Sequence, residues 1–201
     1  MELTKQDYII KGNKERLSLD IILPELFADY EYTKYYTDPE SLDVYDCYLM
    51  TYDKITKSLK RRYIIEVKVR EQNWNEWMLE KKKLTALNKK AGESGATILY
   101  INVTPSGSYV WNLSRIQKDI HWESKDCNIS TVEMEKGKKT KQVTMLPTTL
   151  AKHFSLTDSQ VDLTYLRDEK LKLLLNQVVE DKRSFCLMTF LLQKEDLKSE
   201  F

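Results

Sequence analysis

The spacing of apolar and polar positions along the first part of the chain predicts one helix and a hairpin. Residues 14–28 carry apolar side chains at helical spacing, and Pro24 predicts that the helix ends or kinks near it. The polar, tyrosine-rich residues 30–40 predict a loop. Residues 44–52 and 62–70 have the apolar character and alternation of strands, and a short polar segment joins them. We therefore expect a helix followed by a β-hairpin.

The part of the chain that follows, up to residue 113, predicts a second helix and two further strands. Residues 74–91 have apolar side chains near one side of a helix, and Gly92 and Gly95 mark its end. Residues 96–103 are almost continuously apolar, which is typical of a central strand buried on both faces. After a turn, residues 108–113 predict another strand.

The C-terminal part predicts fewer elements. A polar loop over residues 133–141 leads to a strand over 141–146. Residues 158–181 carry leucines at intervals of three and four, which predicts a helix, and the apolar residues 184–192 fit a strand or a helix equally well. The whole order predicts an α/β fold with a mixed sheet and a C-terminal helical extension.

Composition and charge fit such a fold and suggest an anionic partner. The chain has 201 residues, of which 41% are hydrophobic, and we expect a domain over residues 1–150 and the helical extension over 151–201. The formal net charge is only +1, unlike that of a wholly basic nucleic-acid binder. Between Lys54 and Lys90, however, the chain has 12 lysines and arginines but only 4 acidic residues. This local excess could attract a polyanion, although a solvated helix face would look the same.

Cysteine and histidine positions argue against several kinds of site. Cys47, Cys127 and Cys186 are odd in number and form no CxxC pair, which argues against a disulfide framework or a zinc site. His121 and His153 are not at metal-ligand spacing. The N-terminus lacks the apolar region of a signal peptide, and no apolar run reaches the ~20 residues of a membrane helix. We expect a soluble cytoplasmic protein in a reducing compartment.

The second strand of the hairpin carries the candidate chemistry. Side chains alternate between the two faces of a strand, so Glu66 and Lys68 project from one face while the other face is apolar. An exposed surface pair on a solvated edge is the simpler interpretation of this Glu-x-Lys tripeptide. The side chains of the opposite face are Tyr63, Ile65, Val67 and Val69.

The first strand of the hairpin can bring a second carboxylate to the same place. If the turn is centred near Thr56, opposed residues have indices that add to about 112, which puts Asp46 opposite Glu66. Asp43 and Asp53 have the wrong parity unless a bulge intervenes. A turn shifted by one residue would instead point Asp46 away.

Two carboxylates and a lysine at one point suit metal-assisted hydrolysis of a phosphodiester. Mg²⁺ prefers oxygen ligands and commonly keeps waters and a substrate phosphate. A bound metal polarises the phosphate and lowers the pKa of a water, and an ammonium nearby stabilises the charge that develops. Asp46, Glu66 and Lys68 are therefore candidate catalytic residues.

This ordered set resembles the motif of the PD-(D/E)XK nuclease superfamily. The resemblance covers residues 14–115 and includes Asp46, the run Glu66-Val67-Lys68, and the helix and buried strand that follow. Tyr45 stands where the motif has proline, which lowers its specificity. The resemblance implies a restriction-endonuclease-like αβββαβ core.

The resemblance also implies roles for these residues. Asp46, Glu66 and the backbone carbonyl of Val67 would be ligands of Mg²⁺ or Mn²⁺, and Lys68 would be the catalytic lysine. The expected activity is that of a metal-dependent endodeoxyribonuclease, of the kind found in phages and mobile elements. The alternative is a catalytically inactive module of the same fold that binds nucleic acid or assembles with proteins.

Several residues have two interpretations. Many members of the superfamily carry a glutamate on the first helix, and Glu15 is a candidate, although an exposed glutamate at a helix start explains it better. Glu80 and Lys83 could line the site, but ordinary solvated helix residues are the simpler explanation. Aromatic residues could stack on unpaired bases or belong to the core, namely Trp74, Trp77, Tyr100, Tyr109 and Trp111. Two basic runs could contact phosphates, residues 60–62 and 81–83.

The patterns leave the type of substrate and the assembly state open. They do not distinguish DNA from RNA or endonuclease from exonuclease action. We expect a nucleic-acid partner, no membrane association, and a homodimer through the C-terminal helix as one form of assembly.

Overall fold

The computed structural model of the protein describes residues 5–38, 43–128 and 137–155. Within these ranges the chain forms three α-helices and nine β-strands. The helices are α1 (Lys5–Leu26), α2 (Lys81–Ser94) and α3 (Leu113–Ile116). The strands are β1 (Tyr30–Tyr36), β2 (Cys47–Asp53), β3 (Leu59–Val69), β4 (Glu76–Glu80), β5 (Thr97–Thr104), β6 (Gly107–Asn112), β7 (Glu123–Asn128), β8 (Lys138–Pro147) and β9 (Lys152–Ser155).

The predicted mixed sheet is confirmed. Six strands form the main sheet in the order β1-β2-β3-β5-β6-β9. Strands β3 and β5 are parallel, with α2 in the connection between them, and the other neighbouring pairs are antiparallel. The element order helix, three strands, helix, strand is therefore the one that the resemblance implied. A second sheet in the order β4-β8-β7 is added to this core.

Helices cover the main sheet on both faces, as its two apolar surfaces require. Leu19 and Leu23 of α1 pack with Ile65 and Val67 of β3 in one buried cluster. A second cluster lies on the other face and combines side chains of α2 with others from both sheets. Trp111 is fully buried there, and its indole Nε1 donates to the carbonyl of Pro147 at 3.0 Å. The two sheets thus share one core, in which the side chains are Ile64, Trp77, Leu79, Leu84, Leu87, Ala91, Ile98, Tyr100, Trp111, Leu113 and Leu146.

The loop predicted over residues 30–40 is wrong for most of its length, because Tyr30–Tyr36 forms β1. Tyr32 and Tyr36 are partly buried against the cluster beneath α1, and Lys34 between them is also partly buried, whereas Thr33 and Tyr35 are exposed. This alternation is that of an edge strand, and aromatic residues suit strands. Helix α1 also begins at Lys5, before the predicted start at residue 14, and it ends two residues after Pro24.

The helix predicted over residues 74–91 is wrong in its first part. Residues Glu76–Glu80 form β4, in which Trp77 and Leu79 are buried, and α2 begins only at Lys81. Positions 77 and 79 suit a strand that buries alternate residues, and the pairing with β8 decides between the two conformations. Of the two glycines that mark the predicted helix end, Gly95 forms the C-cap with φ of 63°, whereas Gly92 lies inside α2.

Besides β1 and β4, strands β7 and β9 were not predicted, and β8 is longer than expected. Strands β7 and β9 are short and polar, so their sequences carry little strand pattern. Strand β8 begins at Lys138, inside the predicted loop. The helix predicted over 158–181 and the segment 184–192 lie outside the described residues. No helix in the described ranges is long and apolar enough to cross a membrane.

Candidate active site

The hairpin register predicted for Asp46 is confirmed. Cys47 pairs with Ile65 and Leu49 with Tyr63, so the indices of opposed residues add to the expected value. The amide of Asp46 continues this register by donating to the carbonyl of Ile65 at 2.9 Å. A bulge at Thr51 and Tyr52 shifts the pairing only towards the turn. Asp46 therefore lies beside Glu66, on the neighbouring strand.

The side chain of Asp46 is fixed to the backbone of β3. Its Oδ2 accepts a hydrogen bond from the amide of Val67 at 2.7 Å, and the same oxygen lies 4.0 Å from Nζ of Lys68. Asp46 comes directly before Cys47, the first residue of β2, so its carboxylate lies where that strand begins. The carboxylate is thus held at the end of the sheet that also carries Glu66 and Lys68.

The ammonium of Lys68 lies among four oxygens. Glu66 Oε1 is 2.7 Å from Nζ, and the carbonyl of Val67 accepts a hydrogen bond from it at 2.9 Å. Glu15 Oε1 lies 3.4 Å away, and Asp46 Oδ2 completes the set. All four predicted residues are therefore brought together, and Glu15 joins them.

Glu66 contacts a lysine with each of its oxygens. It is only 1% exposed, and its Oε2 lies 2.7 Å from Nζ of Lys83 on α2. The interpretation of Lys83 as an ordinary solvated residue is wrong, since its ammonium neutralises a buried carboxylate. Glu80 lies outside the centre and contacts Lys141 at 2.8 Å instead.

Glu15 reaches the centre from α1, and its interpretation as an exposed glutamate at a helix start is wrong. It lies in the middle of α1 and is 6% exposed. The signal that identifies it is its spacing, because Glu15 is four and eight residues before the buried Leu19 and Leu23. Residues at this spacing share one face of a helix, and that face packs against the sheet.

Burial and mutual repulsion shift the protonation of the centre. Desolvation, followed by the charge of Glu66, raises the pKa of Asp46 to about 7, although Lys68 and the amide of Val67 oppose the rise. Burial alone would lower the pKa of the Lys68 ammonium, but the three surrounding carboxylates outweigh it and raise that pKa above its ordinary value. The centre therefore favours a cation at the position of the ammonium.

The donor set fits a hard divalent cation. It consists of carboxylate and carbonyl oxygens, the ligands that Mg²⁺ and Mn²⁺ accept. All of them already surround one positive charge, that of Lys68. In the described part of the chain, no three histidine, cysteine, aspartate or glutamate side chains form a group arranged to hold a metal ion. Binding of a metal therefore requires the ammonium to move.

Polar and aromatic side chains also lie near the end of β3, after Lys68. Arg70 Nε donates to Asn102 Oδ1 at 2.9 Å, and its guanidinium lies 5.3 Å from the ring centroid of Trp77. Trp74 stacks on Trp77 with centroids 5.8 Å apart and is 56% exposed. Of the aromatic residues with two interpretations, Trp74 is accessible, whereas Trp77, Tyr100 and Trp111 are buried in the core.

No protein-family model matches the chain, and no curated protein matches it. Among the solved structures that are similar to parts of it are two nucleases. The first is Hjc, a Holliday junction resolvase from the archaeal hyperthermophile Archaeoglobus fulgidus, with 12% identity and a TM-score of 0.40 over 67% of this chain and 87% of that one. The second is D212, a nuclease from a fusselovirus, with 17% identity and a TM-score of 0.35 over 83% of this chain and 92% of that one.

Proposed function

We propose that the protein is a metal-dependent nuclease that hydrolyses phosphodiester bonds, with DNA as its substrate. The observation that carries the proposal is the set of four oxygens around Nζ of Lys68, from Glu15, Asp46, Glu66 and the carbonyl of Val67. Three carboxylates that converge at one end of a sheet are costly to desolvate, which is why sites of this kind are candidates for function.

Each residue has a role that its position supports. Asp46, Glu66 and the carbonyl of Val67 would hold Mg²⁺ or Mn²⁺, and Glu15 would be a further oxygen ligand within the same set. A metal bound there would polarise the phosphate and lower the pKa of an attacking water. The ammonium of Lys68, displaced from the carboxylates, would orient that water and offset negative charge on the phosphorane. Lys83 would keep the buried carboxylate of Glu66 in place through its 2.7 Å contact.

The charge distribution supports a polyanionic substrate. The segment from Lys54 to Lys90 carries the excess of basic residues and includes both β3 and α2, the elements that supply Glu66, Lys68 and Lys83. A positive surface around an acidic metal centre is the combination that a nucleic acid requires, because its phosphates must approach carboxylates.

A second candidate is a catalytically inactive module of the same fold that binds nucleic acid or assembles with proteins. The contact that favours it is the one between Lys68 and Glu66, since this ammonium already neutralises a carboxylate that a metal would need. A metal site in such a module would be vestigial.

A plasmid-nicking assay separates the two candidates. Supercoiled plasmid is incubated with the wild type, Lys68→Ala and Lys90→Ala in Mg²⁺, in Mn²⁺ and in EDTA. Lys90 is a matched control, because it is an exposed lysine on α2 that pairs with Glu93, outside the centre. Activity that requires metal and is lost only in Lys68→Ala supports the nuclease. Equal activity in all three proteins, or activity in EDTA, refutes it.

Calorimetric titration of metal into the protein provides a readout that does not depend on cleavage. Wild-type protein should bind Mn²⁺, and Asp46→Ala and Glu66→Gln should weaken that binding. Absence of metal binding by the wild type would support the inactive module.

A further inference from the structure

A polar cavity of about 550 Å³ opens beside the N-terminal end of β3, away from the catalytic centre. Four cationic residues line it, and we call it the basic cleft: Lys60, Arg61, Arg62 and Arg115. The topology explains how Arg115 joins the other three. Strand β5 starts beside β3 and runs parallel to it, and β6 returns antiparallel, so α3 begins near the same end of the sheet.

The positive charge of the basic cleft is mostly uncompensated. Lys60 pairs with Asp53 at 3.2 Å. Within the described residues, neither Arg62 nor Arg115 forms an ion pair, and apart from the four cationic residues the lining of the cleft is uncharged. Like charges that share one concave surface repel one another, and an anion bound among them would relieve this repulsion.

Neutral polar groups complete the lining. Ser114 Oγ accepts a hydrogen bond from the amide of Ile98 at 2.9 Å, which leaves its own proton available to a further acceptor. The hydroxyl of Ser114 can thus donate to an anionic oxygen beside the guanidinium groups.

We propose that the basic cleft binds backbone phosphates of duplex DNA at a distance from the bond that is cut. The proposal rests on the nuclease function proposed above. Guanidinium, ammonium, hydroxyl and amide groups are the donors that bind phosphate oxygens in nucleic-acid complexes, and the lining residues offer no ring on which a base could stack. The cleft therefore contacts the backbone and adds affinity without sequence preference.

The length of β3 sets the position of these phosphates on the substrate. Arg62 and Glu66 are four residues apart on one strand, which corresponds to about 13 Å at the rise of an extended chain. This distance equals roughly four steps of B-form DNA. A duplex that lies along β3 would therefore extend about four base pairs beyond the scissile phosphate to reach the cleft.

The salt dependence of DNA binding tests the proposal. Fluorescence anisotropy of a labelled duplex of about thirty base pairs is measured in EDTA, between roughly 50 and 300 mM NaCl, a range over which binding through phosphates weakens steeply. The variants are Arg62→Ala/Arg115→Ala and the control Lys125→Ala/Lys139→Ala. The control removes the same charge from exposed positions on β7 and β8. Thermal unfolding checks that all four substitutions leave the fold intact.

We expect the cleft variant to lose about two units of the slope of log K against log salt, since each phosphate contact contributes about 0.9. The control should keep the wild-type slope. Equal slopes and affinities in the two variants would overturn the proposal, and so would a loss seen with duplex RNA and not with duplex DNA. If the cleft variant binds DNA more weakly than the wild type, but the wild type shows no metal-dependent cleavage, the proposed nuclease function is refuted. The proposal that the cleft binds DNA is then still supported.

Discussion

Replacing Lys83 by methionine should lower the stability of the metal-free protein by about 2 kcal/mol. The magnitude follows from the environment of Glu66, which is 1% exposed and whose Oε2 lies 2.7 Å from the Lys83 ammonium. Removing one partner of a fully buried ion pair costs about 3–5 kcal/mol. The side chain of Lys83 is 31% exposed, so water can replace part of the lost interaction and the cost falls. Methionine keeps the length of the aliphatic chain.

Thermal unfolding in EDTA measures this loss. For a chain of this size, about 2 kcal/mol corresponds to a decrease in Tm of roughly 4–8 °C. The matched control is Lys90→Met, because Lys90 lies on the same helix and contacts the exposed Glu93 at 3.1 Å. A surface pair of this kind contributes about 0.5 kcal/mol or less.

One result would refute the reasoning, and a second would extend it. If Lys83→Met unfolds at the same temperature as Lys90→Met, the contact with Glu66 does not stabilise the protein. If Mg²⁺ stabilises the wild type but not Lys83→Met, Lys83 is needed to keep Glu66 positioned for the metal. In that case its role extends beyond neutralising charge.

The remaining predictions concern pH and backbone geometry. The pKa of Asp46 is raised from its ordinary value of 3.8 to about 7, so between these two pH values the folded state binds a proton that the unfolded state has lost. Metal-free wild-type protein therefore loses stability as pH rises through this window, and the substitution Asp46→Asn should remove this pH dependence. If the difference in Tm between the two proteins is the same at pH 5 and pH 7.5, the prediction is contradicted. Gly107→Ala should cost about 2–4 kcal/mol in urea unfolding, because φ is 144° and an added Cβ would lie 2.3 Å from the carbonyl oxygen of Phe154. Gly92→Ala is its control and should stabilise α2 by about 0.5–1 kcal/mol, since an added Cβ meets nothing within 4 Å.

The register of the hairpin could be predicted from the sequence because parity is a strict constraint. Side chains alternate along each strand, so one assumed turn position was enough to place Asp46 beside Glu66. Next to the turn the pairing differs from the assumed one by one residue, since Tyr52 pairs with Leu59. The bulge between Thr51 and Tyr52 restores the expected register, so the pairing near Cys47 agrees with the prediction.

Glu15 and Lys83 were misjudged for a different reason. Each was assessed as a single charged residue on a helix, and most such residues are solvated. Their burial depends on how α1 and α2 cross the sheet, which local patterns do not determine. The helical stripe shared by Glu15, Leu19 and Leu23 did carry the information, since a glutamate in line with core leucines must face the sheet.

Strand β4 could not be distinguished from the start of α2 for a related reason. Trp77 and Leu79 fit either conformation, and the decision depends on β8, which lies more than sixty residues away in the sequence. Such non-local pairing overrides local propensity.

The direct passage from β4 into α2 makes the spacing between them critical. Glu80 ends the strand and Lys81 begins the helix, with no loop residue between the two. Because each residue turns a helix by about 100°, a single insertion at this junction would rotate Lys83 away from Glu66. The turn between β2 and β3 can absorb a change in length, whereas this junction cannot. Relatives of this chain should therefore vary in length at the turn and keep the same spacing from Trp77 to Lys83.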